Sequence, residues 1–477
     1  MAASVQNNPL GYEKLSRLLC TYAVPSVIAM LVSSLYNIVD QIFIGQGVGY
    51  LGNAATNVAY PLTTICLAIA LLIGIGSASR FSLKLGAGQP DDAAQTVGTA
   101  VCMMVTLGVL YVIIIEIFLN PLLHAFGATA DVLPYAQEYT RITAVGMPLL
   151  ILTNGMSNLA RADGSPKYSM TCMLLGAVIN TILDPIFIFV CKWGVAGAAA
   201  ATVIGQLASC IMAVGYLRYF RHVRLTRHHF GLKPAICRKI ASLGMSSSLN
   251  QVALTFVQIV INNSLIYYGA QSTYGSDIPL AACGIVMKTN AILLAIIIGI
   301  SQGSQPIIGF NYGAQQYARV RGIYKLAISC NLVASLVGFI LFQFFPKPII
   351  ALFGTGDALY YEFAVHFMRI FLFMVLVNGV QLISSNFFSA IGKPIKGAVL
   401  SLTRQVIFLI PAVLLLPLFF GLDGILFAGP VADFAAFVAT AILIALEFRK
   451  IHALEQAQQK NAYKAKERSR IPAASLF

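Results

Sequence analysis

Two aspartates stand inside long apolar stretches, where a charged side chain needs a chemical reason. Asp40 closes the run MLVSSLYNIVD, and Tyr36 lies one helical turn before it on the same face. Asp184 lies in the run GAVINTILDPIFIF, with Asn180 one turn before it and Pro185 directly after it. Inside a bilayer, a carboxylate costs about 2.5–3.5 kcal/mol on insertion scales. Both aspartates are therefore candidates for ion chemistry.

The residues around Asp184 predict an oxygen-lined cation site. The ring of Pro185 disrupts the helix and would leave the carbonyl of Thr181 without its partner, beside the amide of Asn180. Such oxygen ligands suit a hard cation such as Na⁺, or a proton held on one carboxylate. Two carboxylates sharing a dry cavity repel each other, so one of them would exchange protons near neutrality. The alternative is pairing with buried bases, of which the N-terminal apolar runs contain only Arg141.

The composition requires that these residues be positioned by membrane-spanning helices. The 477 residues are 58% hydrophobic and only 10% charged, with a mean hydropathy of +0.80. Because soluble proteins carry about 25% charged residues, ordinary soluble enzymes and disordered chains are excluded. A spanning helix needs roughly 20 apolar residues. The apolar runs predict an all-α integral membrane protein with twelve spans, at 16–44, 55–80, 93–119, 134–159, 168–191, 195–219, 239–268, 279–304, 318–345, 361–387, 397–419 and 423–448.

The basic residues predict the orientation of these spans. Twenty-five of the 31 Lys and Arg residues fall at the N-terminus, in the even-numbered connections and in the C-terminal tail. Cytoplasmic loops are enriched in Lys and Arg, so both termini are expected in the cytoplasm. The net charge of +14 then reflects topology and contact with membrane lipids, and we expect no nucleic-acid partner.

The two halves of the chain repeat one another. The sequence SNLARADGSP at 157–166 matches SNFFSAIGKP at 385–394 with an offset of 228 residues. At an offset of 227, Gly86-Ala87 matches Gly313-Ala314, and Gly194 and Gly197 match Gly421 and Gly424. Six spans plus six in one orientation predict two pseudo-symmetric lobes, which is transporter architecture. The predicted domains are an N-terminal lobe (1–219), a cytoplasmic linker (220–238), a C-terminal lobe (239–448) and a flexible basic cytoplasmic tail (449–477).

Motifs for catalysis or for bound cofactors are scarce. The nine cysteines are scattered singly, which argues against disulfides and zinc, and there is no GxxxxGK[ST] or HExxH motif. We therefore expect no enzyme activity and no cofactor, with uphill transport driven by an ion gradient. A membrane-embedded enzyme is the weakest alternative, because His124 and His366 are isolated.

Several motifs, in order along the chain, resemble the MATE (multidrug and toxic compound extrusion) family. They are Pro25 fifteen residues before Asp40, Gly74-Ile-Gly76-Ser-Ala, Leu85-Gly-Ala-Gly88, Asn180-Thr-Ile-Leu-Asp184-Pro185 and Gly194-Val-Ala-Gly197. The stretch QGSQPIIGFNYGA at 302–314 is similar to the MepA and DinF-like bacterial branch. The resemblance implies a V-shaped pair of lobes in the bacterial cytoplasmic (inner) membrane. Such a protein, expected to be a monomer, exports cationic amphipathic compounds in exchange for H⁺ or Na⁺ by alternating access.

The resemblance also implies roles for individual residues of the N-terminal lobe. The ion-coupling residues, which would also be the Na⁺ ligands if sodium is the coupling ion, are Asp40, Asn180, Asp184 and Thr202. Tyr36, Tyr139 and Asn154 fall where the resemblance places the polar network of that lobe. Together with Asn37 and Asn158 they are the candidate substrate-binding residues. Asn154 and Asn158 lie one turn apart and would either line a cavity or bridge helices.

The C-terminal lobe departs from the NorM-like branch, which places acids in the seventh and tenth spans. The seventh span has no acid, and Asn378 occupies the expected acidic position in the tenth. Asp433 lies in the last span, where Arg404 is expected to pair with it. The main alternative function is a lipid-linked precursor flippase, whose pyrophosphate cargo would need several bases facing the cavity. The candidates for that role are Arg141, Lys288, Arg369 and Arg404.

Overall fold

The computed structural model describes residues 8–352 and 357–468, and nearly all of them are helical. Eleven helices in these ranges are long and apolar enough to cross a membrane, and one bent pair makes a twelfth span. The predicted twelve-span, all-α architecture is confirmed. We number the spans α1 Leu15–Gly47, α2 Tyr50–Gly86, α3 Pro90–Ala125, α4 Leu133–Ala162, α5 Pro166–Val190, α6 Gly194–Gly215, α7 Pro234–Gly269, α8 Asp277–Gly313, α9 Tyr317–Phe344, α10 Ala358–Phe371 with Val375–Ala390, α11 Pro394–Phe420 and α12 Leu422–Arg468.

Several of the spans contain an interruption, among them α5, α10 and α11. In α5 the α-helix ends at Pro185 and continues as a π-helix over Ile186–Val190. Proline lacks the N–H that an α-helix needs, and single π-turns are frequent at functional sites. A second π-helix occupies Thr403–Leu409 of α11, and α10 bends by 51° between its two segments. The break expected at Pro185 is therefore present, directly after Asp184.

The two lobes are packed together through α1 and α2 of the first and α7 and α8 of the second. Glycines allow this close approach, because a Cβ at Gly76 or Gly244 would clash with the facing backbone of the other lobe. Gly299 and Gly303 of α8 pack in the same way on Val27 of α1 and the residue one turn before it. We call the end of the molecule where α1 begins and α2 ends the basic end. The glycine contacts lie in the half of the molecule nearest that end.

The spacing of Gly299 and Gly303 around Ser301 is that of the GxSxG motif of hydrolases. In hydrolases this motif forms a sharp turn between a strand and a helix. Here it lies inside α8, and both of its glycines pack against α1. The spacing therefore serves helix packing at the lobe contact.

The C-terminal tail differs from the sequence expectation. A flexible tail was predicted from residue 449, but α12 continues without a break to Arg468. Ile451 is completely buried, and Glu455 forms an ion pair with Arg321 of α9. These contacts fix the first part of the tail to the C-terminal lobe, so the prediction was wrong there. Residues 469–477 lie outside the described residues. The helix α7 also begins at Pro234, inside the predicted linker.

Each lobe ties the chain that leaves its sixth helix to the loop between its fourth and fifth helices. In the N-terminal lobe, Asp163 accepts hydrogen bonds from the Tyr216 hydroxyl at 2.9 Å and from the backbone N–H groups of Arg221 at 2.6 Å and His222 at 3.1 Å. In the C-terminal lobe, the buried Glu447 of α12 pairs with Lys393 and Lys396. The two contacts occupy similar places, but the loop residue is an acid, Asp163, in the first lobe and a base, Lys393, in the second.

Candidate functional site

The site is organised around Asp184, which is completely buried near the end of the α-helical part of α5. Asn180, one turn earlier, donates from Nδ2 to Asp184 Oδ1 at 3.1 Å and to Thr202 Oγ1 of α6 at 3.3 Å. The helices approach closely here because Gly205 of α6 packs on the backbone of α5 beside Asn180. Three of the predicted ion-coupling residues are thus brought together.

Asp40 enters the same cluster from α1. Its carboxyl group interacts directly with that of Asp184. The hydroxyls of Tyr36 and Tyr139 lie within electrostatic reach of both acids. The end of α1 is held near α5 because Gly47 packs on Ile188 of the π-helix. The structure therefore unites α1, α4, α5 and α6 around the two carboxylates.

Three oxygens of this cluster lack a donor. Asp40 Oδ1, Asp184 Oδ2 and Asn180 Oδ1 are buried and accept no hydrogen bond from any residue that the structure describes. A buried acceptor without a partner is costly and is rare in folded proteins. No base in the described ranges pairs with either carboxylate, and Arg141, the base suggested by the sequence, is exposed. The cluster is therefore short of positive charge.

The cluster lies in the half of the molecule away from the basic end. With a rise of 1.5 Å per residue, Asp40 is about 38 Å along α1 from Leu15, and Asp184 is about 27 Å along α5 from Pro166. The acids are thus separated along the molecule from the glycine contacts that join the lobes. The acid cluster and the contact between the lobes therefore lie at different heights along the spans.

The donor set determines which ions the cluster suits. It offers carboxylate, amide and hydroxyl oxygens, which are ligands for a hard cation or acceptors for a proton. In the part of the chain that the structure describes, no group of three or more His, Cys, Asp or Glu side chains could hold a metal ion.

The other predicted substrate residues lie outside this cluster. Asn37 is exposed and donates to the carbonyl of Ser33 at 2.7 Å. Asn154 is partly buried and donates to the carbonyl of Leu150 at 3.0 Å. Asn158 is buried and donates to the carbonyl of Asn154 at 2.8 Å. All three asparagines thus donate to backbone carbonyls of their own helix. Their role in substrate binding stays a prediction.

A buried arginine was missed by the sequence reasoning. The predicted fourth span ends at residue 159, which puts Arg161 in a cytoplasmic connection, but this residue lies inside α4 and is only 3% exposed. The expectation that Arg141 is the one base within the N-terminal helices was therefore wrong. Arg161 follows Asn158 by three residues and donates to its side-chain oxygen at 3.2 Å. The three-residue spacing puts Arg161 and Asn158 on one helix face, and this was the signal in the sequence that Arg161 belongs to the helix.

The C-terminal lobe neutralises its own buried acid. Asp433 of α12 and Arg404 of the α11 π-helix are both buried and form an ion pair. The predicted pairing is confirmed. Asn378, which stands where the NorM-like branch has an acid, is buried just after the bend of α10.

Comparison with curated proteins finds relatives of nearly the same length. The multidrug export protein MepA of Staphylococcus aureus (strain MRSA252) is 24% identical over 428 residues, which cover 89% of this chain and 92% of that protein. A FAD transporter of Shewanella oneidensis is 26% identical over 425 residues, covering 88% of this chain and 92% of that protein. Both similarities span the two lobes.

Solved structures share the fold. The outward-facing conformation of a multidrug resistance MATE family transporter of the MOP superfamily gives a TM-score of 0.86 at 22% identity, covering 95% of this chain and 98% of that chain. A MOP superfamily transporter from Pyrococcus furiosus gives 0.87 at 21% identity, covering 93% and 98%. The sequence model of the MatE family matches residues 25–186 and 241–414, one stretch in each lobe. With that match over most of its length, the chain belongs to the MatE family.

Proposed function

We propose that this protein is a secondary active antiporter that exports cationic amphipathic compounds in exchange for H⁺ or Na⁺. The observation that carries the proposal is the set of three donorless buried oxygens on Asp40, Asp184 and Asn180. A bound inorganic cation or an organic cation would supply the positive charge that the cluster lacks. Membership of the MatE family and the similarity to MepA support export of drug-like cargo.

In this mechanism the ion and the cargo compete for the same two carboxylates. An ion that reaches Asp40 and Asp184 from outside neutralises them and weakens the hold on a bound organic cation. The competition acts directly or through a bend of α1 near Pro25, which lies in the stretch of α1 that packs on α8. Transport requires that the two lobe arrangements bind ion and cargo with different affinity.

The orientation follows from the basic residues. We assign the basic end to the cytoplasm, because cytoplasmic loops carry the excess of Lys and Arg. The lobes are closed against each other in that half of the molecule, so this arrangement faces outward. The ion cluster, which lies toward the other end, is then on the side from which the ion gradient enters.

The experiment is ethidium transport in inside-out vesicles under an imposed pH step and then an imposed Na⁺ step. Asp184→Asn and Asp40→Asn should each abolish ion-driven transport. Glu116→Gln is the matched control, because Glu116 is an exposed acid of α3 outside the cluster. If both aspartate variants keep ion-driven transport at wild-type rates, the N-terminal lobe does not couple the ion.

An anionic cargo is the second candidate, favoured by the similarity to a FAD transporter. An anionic cargo needs bases that face the transport path, and the flippase alternative has the same requirement. Of the bases suggested for that role, Arg404 is paired with Asp433, and Arg369 bonds the backbone of Gln343. Adding FAD as cargo to the same vesicles separates the candidates. If FAD is transported and ethidium is not, the proposal of a cationic cargo is wrong and an anionic cargo takes its place.

A further inference from the structure

Arg161 is a buried cation without a counter-ion among the residues that the structure describes. Its Nη1 donates to Asn158 Oδ1 at 3.2 Å and to Gln302 Oε1 at 2.9 Å, and its Nη2 donates to Ser169 Oγ at 3.3 Å. All three partners are neutral, and the buried Nε has no hydrogen-bond partner in the described ranges. A buried charge is costly unless it is paired and fully hydrogen-bonded. The guanidinium is therefore poorly compensated where it lies.

This cation lies at the contact between the lobes. Gln302 belongs to α8 of the C-terminal lobe, between the glycines that pack on α1. One turn further on, Gln305 donates to Ser79 Oγ of α2 at 2.7 Å. Both bonds cross the surface that must separate if the basic end opens. Separation would break the Gln302 bond and give the guanidinium access to water.

We propose that Arg161 and Gln302 form the gate of the basic end. Because Gln302 is neutral, the closed gate is stable enough to form but can open again. The bond to Gln302 holds the lobes together, while the unpaired charge limits how stable the closed state becomes. A carboxylate at position 302 would complete a buried ion pair and hold the basic end closed. Replacing Arg161 by an apolar side chain would also favour closure, because it removes the cost of the buried charge. The gate rests on the proposed alternating access.

A purely structural brace makes the opposite prediction for one of these variants. If Arg161 only ties α4 to α5 and α8, its replacement by Met loosens the contact and opens the basic end. If its unpaired charge limits closure, the same replacement closes it. The direction of the Arg161→Met effect therefore distinguishes a gate from a brace.

The test is the rate at which a membrane-impermeant maleimide labels Ser82→Cys in inside-out vesicles, with the nine native cysteines replaced. Ser82 is buried and faces Gly309 of α8, so it becomes accessible only when the basic end opens. Gln302→Glu and Arg161→Met should each slow labelling by roughly tenfold or more. Gln305→Glu is the matched control and should speed labelling, because its partners are Ser79 and the Ile75 carbonyl rather than a cation.

Faster labelling in Arg161→Met, or equal acceleration by the two glutamate variants, overturns the proposal. Combining Arg161→Met with Gln302→Glu leaves a buried carboxylate without a base, so the double variant should be labelled faster than either single variant. Hydrogen exchange of the α2 and α8 backbone in chains that keep all their cysteines gives a second readout. Neither measurement uses cargo or an ion gradient, so a failed gate and a failed antiport mechanism are separate results.

Discussion

The acids of the N-terminal ion cluster and the buried Asp433 of the C-terminal lobe have opposite electrostatic surroundings. In the N-terminal lobe, Asp40 and Asp184 face each other without a base in the described ranges. In the C-terminal lobe, Asp433 is held by Arg404. The two lobes repeat the same helical architecture, but only in the C-terminal lobe is the buried Asp433 neutralised by a base. We propose that the N-terminal lobe is the one that binds an exchangeable cation.

The same contrast is seen in the fifth helix of each lobe, α5 and α11. Both α5 and α11 contain a π-helix near a proline, Pro185 in one and Pro411 in the other. The π-helix of α5 follows Asp184, which no base within the described ranges accompanies, whereas the π-helix of α11 contains Arg404, the base of an ion pair. A repeated backbone therefore carries different chemistry in its two copies, and each copy must be tested separately.

The largest effect should come from giving the N-terminal lobe the charge balance of the other lobe. Thr202→Lys would place a permanent cation beside Asn180 and Asp184, where Thr202 now lies. Ion-driven ethidium transport should then be lost completely, because the carboxylates no longer need an exchangeable ion. Thr202→Met controls for side-chain size and should keep most of the H⁺-driven transport, because it adds no charge. Na⁺-driven transport, which would use the Thr202 hydroxyl as a ligand, should fall. Equal loss of H⁺-driven transport in both variants would mean that shape, rather than charge, matters at this position.

Breaking the balanced pair of the C-terminal lobe should destabilise the fold instead. Arg404→Leu leaves Asp433 buried and unpaired, at a cost of about 3–5 kcal/mol in the free energy of unfolding. The double variant Arg404→Leu with Asp433→Leu should recover wild-type stability in denaturant titrations and keep ion-driven transport. Loss of coupling in a stable double variant would assign part of the ion chemistry to this lobe.

Asn180→Leu sharpens the comparison by separating the two coupling ions. A Na⁺ ion loses the amide oxygen as a ligand, so Na⁺-driven transport should fall by roughly tenfold, equivalent to about 1.4 kcal/mol. A proton on Asp184 needs no ligand oxygen from Asn180, so H⁺-driven transport should persist. The measurement is the initial rate of ethidium transport under each gradient alone. An equal fall under both gradients would assign Asn180 to the position of the carboxylates rather than to one ion.

The smallest effect should come from the loop fastening of the N-terminal lobe. Asp163→Asn weakens the acceptor that holds Tyr216 and the first residues of the linker. The expected loss is about 1 kcal/mol of stability, the net contribution of a typical hydrogen bond, because the asparagine keeps an acceptor oxygen; coupling should be unchanged. Denaturant titration and the two vesicle gradients measure these quantities. A coupling defect at full stability would show that the linker takes part in ion exchange.

The sequence could predict the scaffold and the main ion cluster for physical reasons. Hydropathy identifies spans because every buried backbone group in a membrane must be satisfied within a helix. Asp40 and Asp184 stand out because an acid in an apolar run is costly. The spacing Asn180 to Asp184 is one helical turn, so their contact at 3.1 Å also follows from local geometry.

Other features depended on contacts that no local pattern carries. Arg161 reaches Gln302 across 141 residues, and the partner is neutral, so counting charges could only place it in a loop. The tail from residue 449 is polar enough to suggest flexibility, but Ile451 and Glu455 dock on the C-terminal lobe. The bend of α10 follows no proline or glycine within residues 372–374, and it too was missed.

The most direct measurement of the central claim is the ion released when purified protein binds ethidium in a lightly buffered detergent solution. A pH-sensitive dye follows protons, and ²²Na⁺ retained on the protein follows sodium. The wild type and the Arg404→Leu, Asp433→Leu double variant should release the ion on binding, whereas Asp184→Asn should release none. Release from Asp184→Asn in the wild-type amount would contradict the assignment of ion exchange to the N-terminal carboxylates.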